Sequence, residues 1–102
     1  MPPDSDKMWE AIANAVRDLS AGEVVSYGEI AARAGYPRRH RAVGQLLKIS
    51  VDALPWWRVV YADGRLPPCN PGLQEERLVD EGVQLQRLKV IKSPKGCFAK
   101  QR

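Results

Sequence analysis

The side chains best suited to nucleophilic or metal chemistry are few in this 102-residue chain: two cysteines, Cys69 and Cys97, and one histidine, His40. Neither cysteine lies in a Cys-x-x-Cys or His-x-Cys arrangement, so we expect no metal site, and we expect no cofactor. The neighbours of Cys69 are Pro68 and Asn70, which supply no base or cation to stabilise a thiolate. His40 alone carries no catalytic signal. The informative feature of the sequence is therefore its charge pattern.

A basic stretch occupies the middle of the chain. No Asp or Glu occurs between Ala31 and Val51. The stretch holds five cationic side chains: Arg33, Arg38, Arg39, Arg41 and Lys48. The whole chain has a net charge of +4 and a pI near 9.3. A single-signed cluster of this kind favours contact with DNA phosphates, and the alternative is a solvated helix face.

The basic stretch lies on a predicted helix-turn-helix. Ser26 and Glu29 form a capping-box pattern at the start of a short helix. A second helix is predicted from about Arg38 to Lys48, with Pro37 in its first turn. Three apolar residues would face inward on that helix: Val43, Leu46 and Leu47. A helix with a basic N-terminal end is suited to reading a DNA groove.

The remaining patterns predict an α+β fold of the winged-helix type. An amphipathic helix is expected over residues 4–19 and a short charged helix over residues 73–81. Strand propensity is high over residues 57–61, and the following Asp63-Gly64 predicts a β-hairpin, which would be the small wing. A further strand is expected over residues 83–88.

Length and composition predict a single domain over residues 1–102, with a core at about 5–91 and a basic tail at 92–102. No apolar run is long enough to span a bilayer, so no membrane association is expected. The N-terminus is polar and acidic rather than a signal sequence, which indicates a cytoplasmic, nucleoid-associated protein. We expect it to be a monomer.

Four sequence blocks, in order along the chain, resemble one family. They are residues 22–31 (GEVVSYGEIA), residues 41–44 (RAVG), the pattern Pro55-x-x-Arg58-Val59-Val60 followed by Asp63-Gly64-Arg65-Leu66, and residues 78–82 (LVDEG). Together they are similar to the DNA-binding domain of the O6-alkylguanine-DNA alkyltransferases. The resemblance implies a protein that binds double-stranded DNA containing O6-alkylguanine and rotates the damaged nucleotide out of the helix.

The enzymes of that family carry Pro-Cys-His-Arg where this chain has Pro55–Arg58. In those enzymes a histidine, which itself contacts a glutamate, activates the cysteine. The activated cysteine then takes the alkyl group. Here Trp56 and Trp57 replace the cysteine and the histidine, and an indole is neither a nucleophile nor a base. Glu81 matches the family glutamate and is expected to be structural. The chain thus resembles the alkyltransferase-like branch of the family, whose members bind the lesion and pass it to nucleotide excision repair proteins.

The resemblance also implies roles for individual residues. Tyr27 would press on the phosphate beside the lesion, and Arg41 would be the finger that fills the space left by the flipped base. Trp56 would form an apolar wall for the alkyl group. Adjacent residues of an extended chain point to opposite sides, so the two tryptophans cannot both face the same core, and the role of Trp57 is left undecided. Arg58 is expected to support the pocket backbone through hydrogen bonds.

The predicted site contains two sets of residues. The lesion pocket is assigned to Tyr27, Trp56, Trp57, Arg58, Val59 and Arg65. DNA backbone and groove contacts are assigned to Ser26, Arg38, Arg39, Ala42, Gly44, Gln45 and Lys48.

Two other functions remain open from the sequence. The first is an alkyltransferase that uses Cys69 as a displaced nucleophile. The second is a winged-helix regulator that reads undamaged DNA, which would explain the basic helix but not Tyr27, Arg41 and the Pro55–Arg58 block together.

Overall fold

A computed structural model of the chain describes residues 3–49 and 54–99. The helices are α1 (Pro3–Arg17), α2 (Tyr27–Arg33), α3 (His40–Ile49) and α4 (Pro71–Asp80), with a 3-10 helix at Trp56–Arg58. The strands are β1 (Glu23–Ser26), β2 (Val59–Val60), β3 (Gln84–Gln86), β4 (Lys89–Lys92) and β5 (Lys95–Gly96). The fold is α+β, as the sequence predicts. The described residues form two compact units, here called the helical unit (3–19, 27–49 and 54–56) and the sheet unit (20–26 and 57–99).

The helical unit packs α1, α2 and α3 against one another. Apolar residues of α1 recur at helical spacing, and Ile12 and Val16 are fully buried. The predicted inward face of α3 is confirmed, since Val43, Leu46 and Leu47 are all buried. The pairing of α2 with α3 is the predicted helix-turn-helix.

The second helix of that pair begins later than the sequence predicts. It starts at His40 rather than about Arg38, because Pro37 and Arg38 lie in a separate turn. The N–H of Arg39 closes this turn on the carbonyl of Tyr36, at 2.9 Å. The basic residues before α3 therefore lie on a turn that precedes the helix.

The sheet unit is built on three parallel strands in the order β2-β1-β5, with a separate antiparallel hairpin of β3 and β4. Its apolar centre consists of Val24, Val60, Leu66, Leu78, Val83 and Val90. Trp57, Leu85 and Phe98 pack against this centre from its margin. The short strands supply valines to both the sheet and the core, as β-branched residues do.

The β-hairpin wing is present but lies elsewhere than predicted. Asp63-Gly64 does form a tight turn, closed by the N–H of Gly64 on the carbonyl of Tyr61. Across that turn, the N–H of Tyr61 donates to the carbonyl of Arg65 at 3.0 Å, while β2 itself runs parallel to β1. Arg65 pairs with Lys89, and the hairpin itself is β3 and β4. β2 therefore pairs with a strand that is distant in sequence, and the hairpin forms from β3 and β4.

Two further expectations are corrected. The expected strand at residues 57–58 is part of a 3-10 helix, so the rule that strand neighbours point to opposite sides does not apply to Trp56 and Trp57. Residues 92–99 of the expected tail belong to the fold, since β5 pairs with β1 and Phe98 packs on the core. The close approach of β5 depends on Gly96, where a Cβ would overlap the carbonyl oxygen of Val24. Residues 100–102 of that tail lie outside the described residues.

Within the described part of the chain, no helix has the length and apolar composition that crossing a membrane requires.

Candidate nucleic-acid interface and the Glu81 cluster

The outer side of α3 presents polar and cationic side chains to solvent. Arg41, Gln45 and Lys48 follow one another at four and three residues along the helix, so they share one face, and all three are exposed. Arg38 and Arg39 are also exposed, on the turn that leads into the helix. With Val43 on the buried side, α3 has the division of faces that a groove-binding helix needs.

The other predicted backbone and groove residues are less accessible. Ala42 is 8% exposed, and its N–H already donates to the carbonyl of Arg39 at 3.0 Å. Gly44 is half-buried within α3. Ser26 is the last residue of β1 and is half-buried. A DNA contact at these positions stays a prediction, and at Ala42 only a small part of the side chain is available for it.

Tyr27 and Trp56 are the predicted pocket residues of the helical unit. Tyr27 is the first residue of α2 and is half-buried. Trp56 is half-buried at the start of the 3-10 helix, and its backbone N–H donates to the carbonyl of Leu54 at 2.7 Å. Each residue is therefore partly accessible to a ligand.

In the sheet unit, Trp57 and Arg58 converge on the carboxylate of Glu81. The indole Nε1–H of Trp57 donates to Oε2 at 2.9 Å. Arg58 donates from Nη2 to Oε2 at 2.7 Å and from Nε to Oε1 at 3.0 Å. The backbone N–H of Gly22 donates to Oε1 at 2.8 Å. We call these four residues the Glu81 cluster.

The Glu81 cluster keeps its carboxylate ionised. Burial on its own raises the pKa of Glu81, but the hydrogen bonds from Arg58, Gly22 and Trp57 outweigh it and hold the pKa below its usual range. The side chains of Arg58 and Glu81 are only 14% and 13% exposed, so this ion pair is largely shielded from water. Glu81 thus holds together three donors of the sheet unit, and its expected structural role stays a prediction.

Cations also contact the ring of Trp57. The guanidinium carbon of Arg77, on α4, lies 4.8 Å from the ring centroid, and that of Arg58 lies 5.2 Å from it. Both distances are within the range of cation–π attraction. The ring and the N–H of Trp57 are therefore both used within the sheet unit, which gives this residue the structural role that its sequence pattern leaves undecided.

Sequence reasoning missed Gln74. This side chain of α4 is 2% exposed, and its Nε2 donates to the carbonyls of both Trp57 and Val59, at 3.1 and 3.0 Å. It thereby fixes the backbone between the 3-10 helix and β2. The available signal was its spacing, because Gln74 stands one helical turn before the buried Leu78 and must share its inward face.

The structure gives further contacts for three predicted pocket residues. Arg58 binds the carboxylate of Glu81, and its support of the pocket backbone stays a prediction. Val59 is fully buried and its carbonyl accepts a hydrogen bond from Gln74. Arg65 is exposed and lies 3.4 Å from Asp63, apart from the Glu81 cluster. The structure thus brings together Trp57 and Arg58 directly and Val59 through Gln74.

The cysteines are both free and exposed. Among residues 3–49 and 54–99, no three His, Cys, Asp or Glu side chains come together as a metal site would require.

Comparison with known proteins identifies relatives of this arrangement. A family model described as the 6-O-methylguanine DNA methyltransferase DNA-binding domain matches residues 7–83. A DNA base-flipping protein of Escherichia coli is 37% identical over 83 residues, covering 78% of this chain and 61% of that protein. Alkyltransferase-like protein 1 of Schizosaccharomyces pombe is 33% identical over 86 residues, covering 78% of this chain and 80% of that protein.

A solved structure extends the match to three dimensions. It is the crystal structure of S. pombe Atl1 in complex with damaged DNA containing O6-carboxymethylguanine. The two chains are 31% identical with a TM-score of 0.70, and the match covers 88% of this chain and 89% of that one.

Proposed function

The chain belongs to the 6-O-methylguanine DNA methyltransferase family through its DNA-binding domain, and on that basis we propose that it is a non-enzymatic sensor of O6-alkylguanine in duplex DNA. It binds the lesion, rotates the nucleotide out of the helix and leaves the alkyl group in place. The relatives named for base flipping and the Atl1 complex with damaged DNA support this proposal.

One observation supports the non-enzymatic part of the proposal: the indole N–H of Trp57 donates a hydrogen bond to the carboxylate of Glu81. In the enzymes that this chain resembles, the corresponding position is a histidine that activates a cysteine. Here the glutamate remains, but its partner is an indole, which accepts no proton at neutral pH. With Trp56 in the place of the cysteine, both the nucleophile and its base are absent from these positions.

Recognition of the lesion is assigned to the helical unit. Trp56 contributes an apolar wall, where burying an alkyl group gains about 0.8 kcal/mol for each methylene. Tyr27, at the start of α2, contacts the phosphate beside the lesion. Arg41 is exposed on α3 and enters the duplex, where its planar guanidinium stacks in the space left by the flipped base. This stacking recovers part of the few kcal/mol that unstacking and unpairing cost.

A protein that binds a lesion without chemistry needs a partner that removes it. We assign this role to nucleotide excision repair proteins, acting on a complex formed by a cytoplasmic, nucleoid-associated monomer. The flipped base and the inserted side chain distort the duplex, and such a distortion is a signal that a repair protein can recognise without reading the alkyl group itself.

A paired titration and mass measurement tests the proposal. The protein is titrated with two duplexes that differ only by one O6-methylguanine, and the protein from the lesion mixture is then analysed as an intact mass. We expect tighter binding to the lesion duplex and an unchanged protein mass. Both titrations should weaken steeply with added salt, because phosphate contacts dominate DNA affinity.

The other functions would give different results. A mass gain of one methyl group would assign the protein to the transferring enzymes, and mapping that group to Cys69 would identify the displaced nucleophile. Equal affinity for the two duplexes would indicate a regulator that reads undamaged DNA.

A further inference from the structure

The β3–β4 hairpin carries a second cationic surface that the proposed lesion site does not use. We call it the hairpin surface, and it consists of Arg65, Gln86, Arg87, Leu88 and Lys89, which line an open depression of about 420 Å³ together with Leu66. All five defining residues are exposed. The surface lies entirely within the sheet unit.

The strand register points the hairpin surface outward. Gln86 pairs with Lys89 across the hairpin, and Lys89 also pairs with Arg65. Directly paired residues project from the same face of a sheet, and the next residue along the strand projects from the opposite face. Val90 is that next residue, and it is buried in the core. Arg65, Gln86 and Lys89 therefore share the solvent side.

Two cations oppose each other directly on this surface. The hydrogen bonds from Leu66 to Leu88 and from Val90 to Gly64 flank the pair of Arg65 and Lys89. The pair is thus of the non-hydrogen-bonded kind, in which the side chains are closest. Like charges placed opposite one another destabilise a sheet. An anion bound between them would remove that repulsion.

The segment of chain that forms the hairpin carries no negative charge of its own. The described residues from Gly82 to Ala99 include no Asp or Glu. They include four cations: Arg87, Lys89, Lys92 and Lys95. Beside this surface, Oδ2 of Asp63 lies 3.4 Å from Nε of Arg65, and the Asp63 side chain is 53% exposed. The hairpin surface therefore holds three cations, of which Arg65 lies beside a carboxylate.

The backbone holds this arrangement at a cost. Arg87 and Leu88 both have positive φ, 53° and 61°, in a two-residue turn where Asn and Gly are the favoured residues. At Gly64, a Cβ would lie 2.7 Å from the carbonyl oxygen of Val90, so only glycine lets the chain approach β4 closely enough to set Arg65 beside Lys89. Residues other than glycine and asparagine in this conformation cluster at functional sites.

We propose that the hairpin surface binds the phosphodiester backbone of DNA, as a contact additional to α3 and independent of the lesion. Arginine and lysine side chains beside a glutamine match the charge and hydrogen-bonding needs of phosphate oxygens. The alternative occupant is an acidic protein segment. DNA is favoured for two reasons. The chain belongs to a DNA-binding family. The strand register also places two cations, Arg65 and Lys89, side by side.

The salt dependence of binding tests this proposal. The variant Arg87→Gln/Lys89→Gln is compared with the wild type on an undamaged duplex, by titration at several salt concentrations. Each lost phosphate contact lowers the slope of log affinity against log salt by about 0.9 in magnitude, so the double variant should lose about 1.8. A matched variant, Lys7→Gln/Arg17→Gln on α1, removes the same charge elsewhere and should leave the slope almost unchanged.

The outcomes separate this surface from the lesion sensor. The hairpin variant should weaken binding to lesion and undamaged duplexes by the same factor, whereas failure of the sensor proposal would appear as equal affinities in the wild type. A wild-type slope in the hairpin variant would overturn the proposal and favour an acidic protein segment as occupant. An equal fall in the α1 variant would also overturn it, because net charge alone would then explain the effect. The variant Lys89→Arg keeps the charge of the hairpin. Its slope of log affinity against log salt should equal that of the wild type.

Discussion

Replacing Trp57 by phenylalanine removes a single hydrogen bond from the Glu81 cluster while it keeps an aromatic ring. The lost donor is the indole Nε1–H, which lies 2.9 Å from Oε2 of Glu81. The cations of Arg58 and Arg77, 5.2 and 4.8 Å from the ring centroid, can still attract the smaller ring. The substitution therefore isolates the contribution of the N–H better than alanine would.

The magnitude follows from the surroundings of the carboxylate. A hydrogen bond to a charged group contributes about 1.5–3 kcal/mol. Glu81 retains its bonds from Arg58 and Gly22, which favours the lower end of that range, while its 13% exposure leaves little room for water to replace the donor. We expect a loss of about 1.5 kcal/mol, which for a domain of this size lowers Tm by roughly 6–12 °C.

The loss should also depend on pH. Because the pKa of Glu81 is lowered in the folded protein, chiefly by Arg58 against the opposing effect of burial, the cluster stabilises the fold fully above the unfolded-state pKa of about 4.3. That stabilisation disappears as the pH falls through the folded-state pKa. A protonated carboxyl is a weaker acceptor, so the difference between wild type and Trp57→Phe should be complete at neutral pH and shrink in acid.

Urea denaturation followed by far-UV circular dichroism measures both effects. Trp9→Phe is the matched control, because Trp9 is a half-buried indole on α1 and its replacement removes a similar ring volume. The excess loss in Trp57→Phe over Trp9→Phe is the contribution of the hydrogen bond. Equal losses in the two variants, or a difference that does not change between neutral and acidic pH, would refute the role assigned to the Trp57 N–H.

Four further variants test other parts of the molecule. Gly96→Ala should lower the free energy of unfolding by about 2–4 kcal/mol in the same urea assay, because its Cβ would overlap the Val24 carbonyl; an unchanged value would contradict the pairing of β5. Arg41→Ala should reduce the preference for lesion duplex more than it reduces affinity for plain duplex in a fluorescence titration, and equal losses would make Arg41 only a phosphate contact. Trp56→Cys should gain no methyl group by intact mass, whereas Trp56→Cys/Trp57→His should, since imidazole can serve as the base; transfer by the single variant would contradict this account of thiol activation.

The helical part of the fold could be predicted well from the sequence. Helix periodicity is local, so the buried positions of α3 follow directly from the spacing of Val43, Leu46 and Leu47. The pairing of strands is not local. The Asp63-Gly64 turn forms as predicted, but β2 pairs with β1 rather than with the residues after that turn. Nothing in the composition of the short strands specifies which distant strand each will join.

The role of a site residue could be predicted from the sequence where it depends on that residue alone. It could not be predicted where it depends on contacts with residues that are distant along the chain. That no thiol stands at the position of the family cysteine follows from Trp56 alone. The role of Trp57 depends on Glu81 and Arg77, which are 20 or more residues away along the chain. The spacing of Gln74 places it on the inward face of α4, but the carbonyls that it binds are 15 and 17 residues away along the chain, so its role could not be predicted.

The most direct test of lesion binding without chemistry follows the methyl group itself. A duplex with one O6-methylguanine, radiolabelled in the methyl carbon, is incubated with excess protein and divided between a native and a denaturing gel. We predict that the label migrates with the protein–DNA complex on the native gel and with the free DNA strand on the denaturing gel. Label that stays on the denatured protein would contradict a sensor that leaves the alkyl group on guanine.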